Sequence, residues 1–205
     1  MDGIELLYYY PSKDKTVFTK ATLMAINETE NKFINAEDYQ AKYCKLKNGN
    51  CEKPSSIIRF FDGTYSNVDP DFSDPGFDNV INVINKANYY NETKLELAYH
   101  LGRDAEITST KAFSYATRSS IPVGYPLKGY NSTTDRESKQ EDEVKKFYQE
   151  KVIPNIGNPL FKSGVAGMDF VYNSGIIIGL SILNQVELFL THHILITQGG
   201  EHISY

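Results

Sequence analysis

The sequence predicts an α+β domain in which an antiparallel sheet is flanked by helices. Three observations lead to this fold class. Pairs of strand-like runs around a turn, typical of hairpins, are the commonest pattern in the chain. Other segments carry apolar residues at helical spacing. The regular alternation of strands and helices that indicates a parallel sheet does not occur.

Composition places the chain among folded globular proteins. It has 205 residues, of which 40% are hydrophobic and 13% aromatic, with 15 tyrosines and no tryptophan. This content is too high for a disordered chain, and the length fits about one domain of roughly 150 residues or slightly more. The formal net charge is −5. Since basic residues form no cluster, we expect no nucleic-acid partner.

In the first half of the chain, turn signals and apolar spacing predict four elements. Residues 16–26 begin like a strand, and residues 36–46 are predicted to form a short helix that runs into a cysteine loop. Residues 56–65 contain an Asp-Gly turn between β-rich runs, which predicts a hairpin. Residues 77–90 carry apolar side chains every three or four positions, which predicts an amphipathic helix.

In the second half, most of the predicted elements are strands. We expect strands at 95–101, 106–115, 121–127 and 164–172, and a final hairpin at 193–205. Residues 130–143 are predicted to be an exposed polar connection whose carboxylates face solvent, and residues 144–152 continue it as a helix that Pro154 stops. Residues 176–190 are apolar nearly all round, which indicates a buried helix.

We divide the chain at residue 35. Residues 1–35 have no clear assignment, and residues 36–205 are predicted to form one domain, which is compatible with a fragment of a longer chain. The first residues contain no basic segment followed by an apolar one, so we expect no signal peptide. The longest apolar stretch, residues 175–183, is too short to span a membrane, so any membrane association is expected through a partner or a missing segment.

Cys44 and Cys51 are predicted to form a disulfide. The Asn48-Gly49 turn between them folds the chain back and brings the sulfurs together. The alternative, a redox or metal pair, lacks the two further ligands at short spacing that zinc needs. A disulfide implies an oxidising, extracellular or periplasmic location, which fits the missing leader only if the chain is a mature fragment.

Three sequons for N-glycosylation occur, at Asn27, Asn91 and Asn131. Chance accounts for roughly two in a chain of this composition, so these sequons alone carry little weight for a glycoprotein.

Two later segments resemble the Cache family of extracytoplasmic, PAS-like domains. Residues 119–127 contain Ile121-Pro122-Val123, and residues 163–170 read Ser-Gly-Val-Ala-Gly-Met-Asp-Phe. A predicted helix and a hairpin around Gly199-Gly200 follow. The order is similar to the Cache modules of calcium-channel alpha-two-delta subunits and of bacterial chemoreceptors. The resemblance covers about residues 121–204.

The resemblance implies a pocket on one face of the sheet. In the amino-acid-binding Cache subgroup, the position of Asp169 accepts hydrogen bonds from the ligand's amine, and Tyr115, Tyr125 and Tyr172 are candidates to line the pocket. The subgroup's carboxylate anchor follows an Asp-Pro turn. That turn is present at Asp74-Pro75, but neither Arg nor Trp follows it. The alternatives stay open: Asp169 as a helix cap, and the tyrosines as core residues.

The predicted function is a non-enzymatic extracytoplasmic module that binds a small organic amine or amino-acid-like ligand, or that docks to other protein subunits of a membrane or surface assembly. One alternative is a structural surface, appendage or coat protein, and another is a hydrolase without a recognisable motif. We expect no cofactor. We also expect no metal site, because His192 and His193 are adjacent and would face opposite sides of a strand.

Overall fold

The computed structural model describes residues 3–9, 14–147, 150–151 and 169–174, and its mixture of helices and small antiparallel sheets confirms the α+β class. The helices and strands follow in the order β1 (Gly3–Tyr9), α1 (Lys20–Ile34), β2 (Leu46–Lys47), β3 (Asn50–Cys51), α2 (Val80–Tyr89), α3 (Asn91–His100), β4 (Glu106–Thr108), β5 (Lys111–Phe113), β6 (Ala116–Pro122), α4 (Glu137–Phe147) and β7 (Asp169–Ser174). Tyr39–Tyr43 forms a π-helical turn, and Ile57–Phe60 and Pro70–Phe72 form 3-10 turns.

The largest sheet has three antiparallel strands in the order β6-β1-β7. Leu6 at the centre of β1 lies opposite Ser119 on one side and Tyr172 on the other. The middle strand therefore comes from the N-terminal segment that the sequence left unassigned, and its two partners come from far along the chain. Two small hairpins, β2-β3 and β4-β5, complete the described strands.

Helix α1 packs against this sheet, and the strand expected to begin at residue 16 is wrong. The hydroxyl of Thr19 accepts a hydrogen bond from the Thr22 amide at 3.2 Å, which caps the first turn and starts a helix at residue 20. Leu23, Ile26 and Phe33 then lie on the buried face. Their spacing is helical, which the β-branched residues before them concealed.

The hairpin predicted at 56–65 is also wrong. Ser56 caps a 3-10 turn by accepting a hydrogen bond from the Ile58 amide at 3.2 Å. Ile57, Ile58 and Phe60 are all buried, so this run has no solvent-facing side of the kind a half-exposed strand would show. The Asp-Gly signal at 62–63 marks a turn between this segment and the next, with Gly63 at φ 85°.

Residues 95–100 form the end of α3 rather than a strand, and Leu101 forms an isolated bridge with Thr117. Leu97 is buried while Leu95 is 81% exposed, so the apolar alternation does not correspond to one buried face. The Thr93 hydroxyl donates to the Ala87 carbonyl at 2.8 Å and ties the first turn of α3 to α2. Helix α2 itself confirms the helix expected within 77–90, with Val83, Ile84 and Ala87 buried.

The remaining elements agree with the sequence in part. The short helix expected within 36–46 is the turn Tyr39–Tyr43. Residues 106–115 form the β4-β5 hairpin rather than one strand, and β6 ends at Pro122, so most of 121–127 lies outside the sheet. Helix α4 begins seven residues before the expected 144. Strand β7 overlaps the strand expected at 164–172, while residues 164–168, the helix at 176–190 and the hairpin at 193–205 lie outside the described residues.

Every helix among the described residues is too short or too polar to cross a membrane.

Candidate functional site

A cleft of about 920 Å³ opens beside the cysteine loop. Three separate segments form its walls: the end of the π-helical turn with the start of the cysteine loop, the chain just after β6, and the first half of α4. The lining residues are Gln40, Ala41, Lys42, Cys44, Lys45, Leu46, Val123, Gly124, Tyr125, Pro126, Lys128, Thr133, Glu137 and Glu141.

The first wall is held by the predicted disulfide, which the structure confirms. Cys44 and Cys51 are bonded, with their Cα atoms 5.4 Å apart. Asn48 and Gly49 between them have φ angles of 53° and 82°, and strands β2 and β3 pair on either side. The Asn-Gly turn therefore reverses the chain, as its sequence predicts.

The second wall is clamped tightly to the first. Cys44 forms an isolated bridge with Val123, and the Gly124 amide donates to the Tyr43 carbonyl at 2.9 Å. A Cβ atom on Gly124 would lie 2.7 Å from the Cys44 carbonyl oxygen and 2.8 Å from the Lys45 Cα atom. Because only glycine permits this approach, Gly124 allows the first two walls to lie this close together.

The third wall, α4, is fixed by one buried amide. Gln140 is fully buried, and its side-chain oxygen accepts from the Leu127 amide at 2.9 Å. Its side-chain nitrogen donates to the carbonyls of Ser132 at 3.0 Å and Asp135 at 2.7 Å. The loop before α4 is thus bonded from its inner side, which positions Glu137 and Glu141 one helical turn apart along the cleft.

Charges along the cleft are unequally paired. Lys42 bonds to Glu143 at 2.5 Å, and this hydrogen bond raises the pKa of the lysine. The same bond lowers the pKa of Glu143, as does the hydroxyl of Tyr130. Lys45 forms an ion pair with Glu52 across the cysteine loop.

The remaining charges of the lining are those of Lys128, Glu137 and Glu141, which have no ion-pair partner within the described ranges. As far as the described part of the chain shows, the cleft therefore offers one free cation and two free carboxylates. The expectation that the carboxylates of residues 130–143 face solvent is wrong for Glu143, whose side chain is only 25% exposed and bonds to Lys42 and Tyr130. Glu141 lines the open cleft.

Tyr125 supplies a buried donor in the wall. Its hydroxyl is shielded from solvent and has no hydrogen-bond partner among residues 3–9, 14–147, 150–151 and 169–174. Burial, with a smaller effect from the negative charge of Glu141, raises the pKa of Tyr125 to about 12. The hydroxyl is therefore protonated at neutral pH. An unsatisfied buried hydroxyl costs about 1–3 kcal/mol.

Of the four residues predicted to bind ligand, Tyr125 is in the cleft lining and the other three lie elsewhere. Tyr115 is buried in a small cluster with Tyr9 and Ala116. Asp169 is the register partner of Tyr9 at the same end of the sheet, two strands away from Ala116. Tyr172 occupies a position further along β7.

The Asp-Pro turn orders the loop before α2. The Asp74 carboxylate accepts from the amides of Asp78 at 3.2 Å and Asn79 at 2.7 Å, just before α2 begins. The turn that precedes the carboxylate anchor in the amino-acid-binding Cache subgroup thus has a structural role in the described part of the chain.

Sequence reasoning missed two buried polar clusters. In the first, Glu30 of α1 is 1% exposed and accepts hydrogen bonds from the hydroxyls of Ser119 at 2.6 Å and Ser56 at 3.0 Å. Burial, the largest effect, raises the pKa of Glu30 to about 7. The only available signal was the helical spacing of Glu30 with Ile26 and Phe33, which places it on the buried face.

The second cluster ties α3 to β6. His100 is buried, and its Nδ1 lies 2.9 Å from the Arg118 carbonyl oxygen. Its Nε2 lies 3.2 Å from both the Ser55 hydroxyl and the Glu96 carboxylate, and Ser55 donates to Glu96 at 2.8 Å. Ser55, Glu96 and His100 thus form one hydrogen-bonded cluster in which the serine proton is directed at the carboxylate. Within the described residues, no group of histidines, cysteines and carboxylates could hold a metal ion.

No family model, no curated protein and no solved structure matches this chain. The resemblance to Cache domains therefore rests on the sequence segments alone.

Proposed function

We propose that this chain is a non-enzymatic, extracytoplasmic module that binds a small organic amine or amino-acid-like ligand in the cleft beside the disulfide. The observation that carries the proposal is a cleft of about 920 Å³ lined by Tyr125, whose protonated hydroxyl has no hydrogen-bond partner in the part of the chain that the structure describes. Small-molecule sites in proteins have volumes of about 300–1,000 Å³ and few, well-placed polar groups.

The charges of the cleft support this ligand class. Glu137 and Glu141 supply carboxylates for an ammonium group, and Lys128 supplies a cation for a carboxylate. Charge-assisted hydrogen bonds of this kind are about twice as strong as neutral ones. The Tyr125 hydroxyl adds a neutral hydrogen-bond donor to these charged groups of the lining.

The disulfide supports an extracytoplasmic location, because such bonds persist in oxidising compartments. Membership of the Cache family is part of the proposal and is supported by the sequence order alone. In such a module, the ligand would favour a closed arrangement of α4 against the cysteine loop, which shifts a population instead of catalysing a reaction. The Lys42–Glu143 bond already joins these two walls.

A thermal-shift screen of the twenty standard amino acids, simple monoamines, diamines and carboxylates tests the proposal. A ligand at 100 times its Kd stabilises by about 2.7 kcal/mol, which raises the melting temperature of a chain of this size by about 5–10 °C. Amines or amino acids are expected to produce this shift, and carboxylates without an amine are not.

Variants locate the response. Tyr125→Phe removes one hydrogen bond and is expected to weaken binding about tenfold, and Glu141→Gln is expected to weaken it by about 10- to 100-fold. The matched control is Tyr89→Phe, which is 79% exposed on α2 and leaves the response intact. If no compound shifts the melting temperature, or if Tyr125→Phe and Glu141→Gln respond like wild type, the proposal is wrong. Concentration-dependent self-assembly in that case would favour the structural surface protein.

A further inference from the structure

We propose that Asn131 carries an N-linked glycan at the rim of the cleft. The inference rests on the extracytoplasmic location proposed above. The three sequons differ: among the described residues, one alone has both its asparagine carboxamide and its threonine hydroxyl without a partner.

Side chains of the sequon at Asn27 are hydrogen-bonded within α1. Its side-chain oxygen accepts from the Asn31 amide group at 3.2 Å within α1. Thr29, the third residue of the sequon, is 3% exposed, and its hydroxyl donates to the Ala25 carbonyl at 2.8 Å. The carboxamide and the hydroxyl of this sequon therefore both have partners within α1.

The sequon at Asn91 has an exposed asparagine but a buried hydroxyl. Thr93 is fully buried, and its hydroxyl donates to the Ala87 carbonyl at 2.8 Å. This bond belongs to the junction of α2 and α3, which is local in sequence and forms early.

The sequon Asn131-Ser132-Thr133 is built differently. All three residues are exposed. The Asn131 carboxamide and the Thr133 hydroxyl have no hydrogen-bond partner in the described part of the chain. The loop keeps its shape through backbone atoms instead: Gln140 bonds to the carbonyls of Ser132 and Thr133 from below, and the Asn131 amide donates to Asp135 at 3.0 Å.

This geometry suits the acceptor chemistry. The side-chain nitrogen of Asn131 forms a bond to the anomeric carbon of the first sugar of a lipid-diphosphate-linked oligosaccharide. The bond from that carbon to the diphosphate oxygen breaks, the lipid diphosphate leaves with the electron pair, and the amide gives up one proton. Neither the carboxamide nor the hydroxyl has to break a bond inside the protein first.

The position also has a consequence for the cleft. Thr133 belongs to the cleft lining, two residues from the modified asparagine. A glycan at Asn131 would stand beside the opening and restrict the approach of bulky solutes, while small amines would still enter.

The experiment is secretion of the chain, with an added leader, from cultured eukaryotic cells. The secreted protein is treated with an amidase that releases N-glycans in heavy-oxygen water, and its peptides are mapped by mass spectrometry. We expect the Asn131 peptide to appear as labelled aspartate, and the intact mass of Asn131→Gln to fall by one glycan. Asn27→Gln is the matched control and should leave the mass of the glycan unchanged.

An unmodified Asn131 peptide in the secreted wild-type protein would overturn the inference. Ligand binding is measured separately, on protein from a bacterial periplasm that adds no glycan. Failure of the glycan assignment and failure of the ligand proposal are therefore distinguishable.

Discussion

Glu30→Gln should make the stability of this protein less dependent on pH. The carboxyl of Glu30 is buried between α1, β6 and the 3-10 turn at residue 57, and two serine hydroxyls donate to it. The nearest cation is Arg59, at 3.7 Å, and that guanidinium is also bonded to Asp62 at 2.5 Å. Tyr8 of β1 and Asp62 are further titratable groups that interact with the carboxyl. The negative charge is therefore incompletely compensated.

The magnitude follows from the pKa. Burial raises the pKa of Glu30 from 4.5 to about 7. A difference of this size corresponds to about 3 kcal/mol of stability. Because the folded-state pKa is the higher one, the contribution is fully present below pH 4.5 and is lost as the pH rises through 7. Glutamine keeps the shape of the side chain and carries no charge at any pH.

The assay is urea unfolding followed by circular dichroism at several pH values from 4.5 to 9, without reductant. Near pH 4.5, the free energies of unfolding of wild type and Glu30→Gln should agree within about 1 kcal/mol. At pH 9 the variant should be more stable by about 3 kcal/mol. A difference that stays constant from pH 4.5 to 9 would refute the reasoning, because Glu30 would then ionise equally in the folded and unfolded chains.

The control is Glu28→Gln on the same helix. Glu28 is about half exposed and bonds to Lys32 at 2.8 Å. Surface ion pairs of this kind contribute about 0–1 kcal/mol, so the control should change the free energy of unfolding by less than about 1 kcal/mol at either end of the range.

Three further predictions concern the walls of the cleft and the hydrogen-bonded cluster of Ser55, Glu96 and His100. Gly124→Ala should lower stability by about 1–3 kcal/mol in urea unfolding, since its Cβ would overlap Cys44; an unchanged midpoint would contradict the close approach. Replacing Cys44 and Cys51 together by serine should cost about 2–3 kcal/mol, and a melting temperature equal to wild type would argue against the staple. Glu96 has a pKa lowered chiefly by its hydrogen bond from His100, so its contribution is present above pH 4.5 and is lost as the pH falls through the lowered pKa; Glu96→Gln should cost at most about 1 kcal/mol at pH 7 and progressively less in acid, by the same unfolding assay.

The sequence predicted those features that are decided locally. The disulfide follows from two cysteines around an Asn-Gly turn, and α2 follows from the spacing of Val83, Ile84 and Ala87. Where local signals were weak, the assignment failed. Leu95 and Leu97 alternate like a strand, but the bond from Thr93 to the end of α2 and the burial of His100 hold this segment as a helix.

The cleft could not be predicted from the sequence, because its second and third walls follow its first wall by about 80 and about 95 positions along the chain. Tyr125 is one tyrosine among many, and nothing in the sequence indicates that Glu137 and Glu141 line the same cleft as Tyr125. The sheet presents the same difficulty: β1 lies between β6 and β7, which follow it by more than 100 residues. Such pairings depend on which long loops close, a property without a local signature.

The most direct test of the account is a two-dimensional nitrogen–proton NMR titration of the isotope-labelled protein with the amines and amino acids of the screen. We expect an active compound to shift the backbone amide signals of Gly124, Tyr125 and Glu141, and Tyr125→Phe to weaken the binding measured in this titration about tenfold. Spectra that do not change with any compound, or shifts confined to the surroundings of Tyr115 at the far end of the sheet, would contradict a ligand site in the cleft.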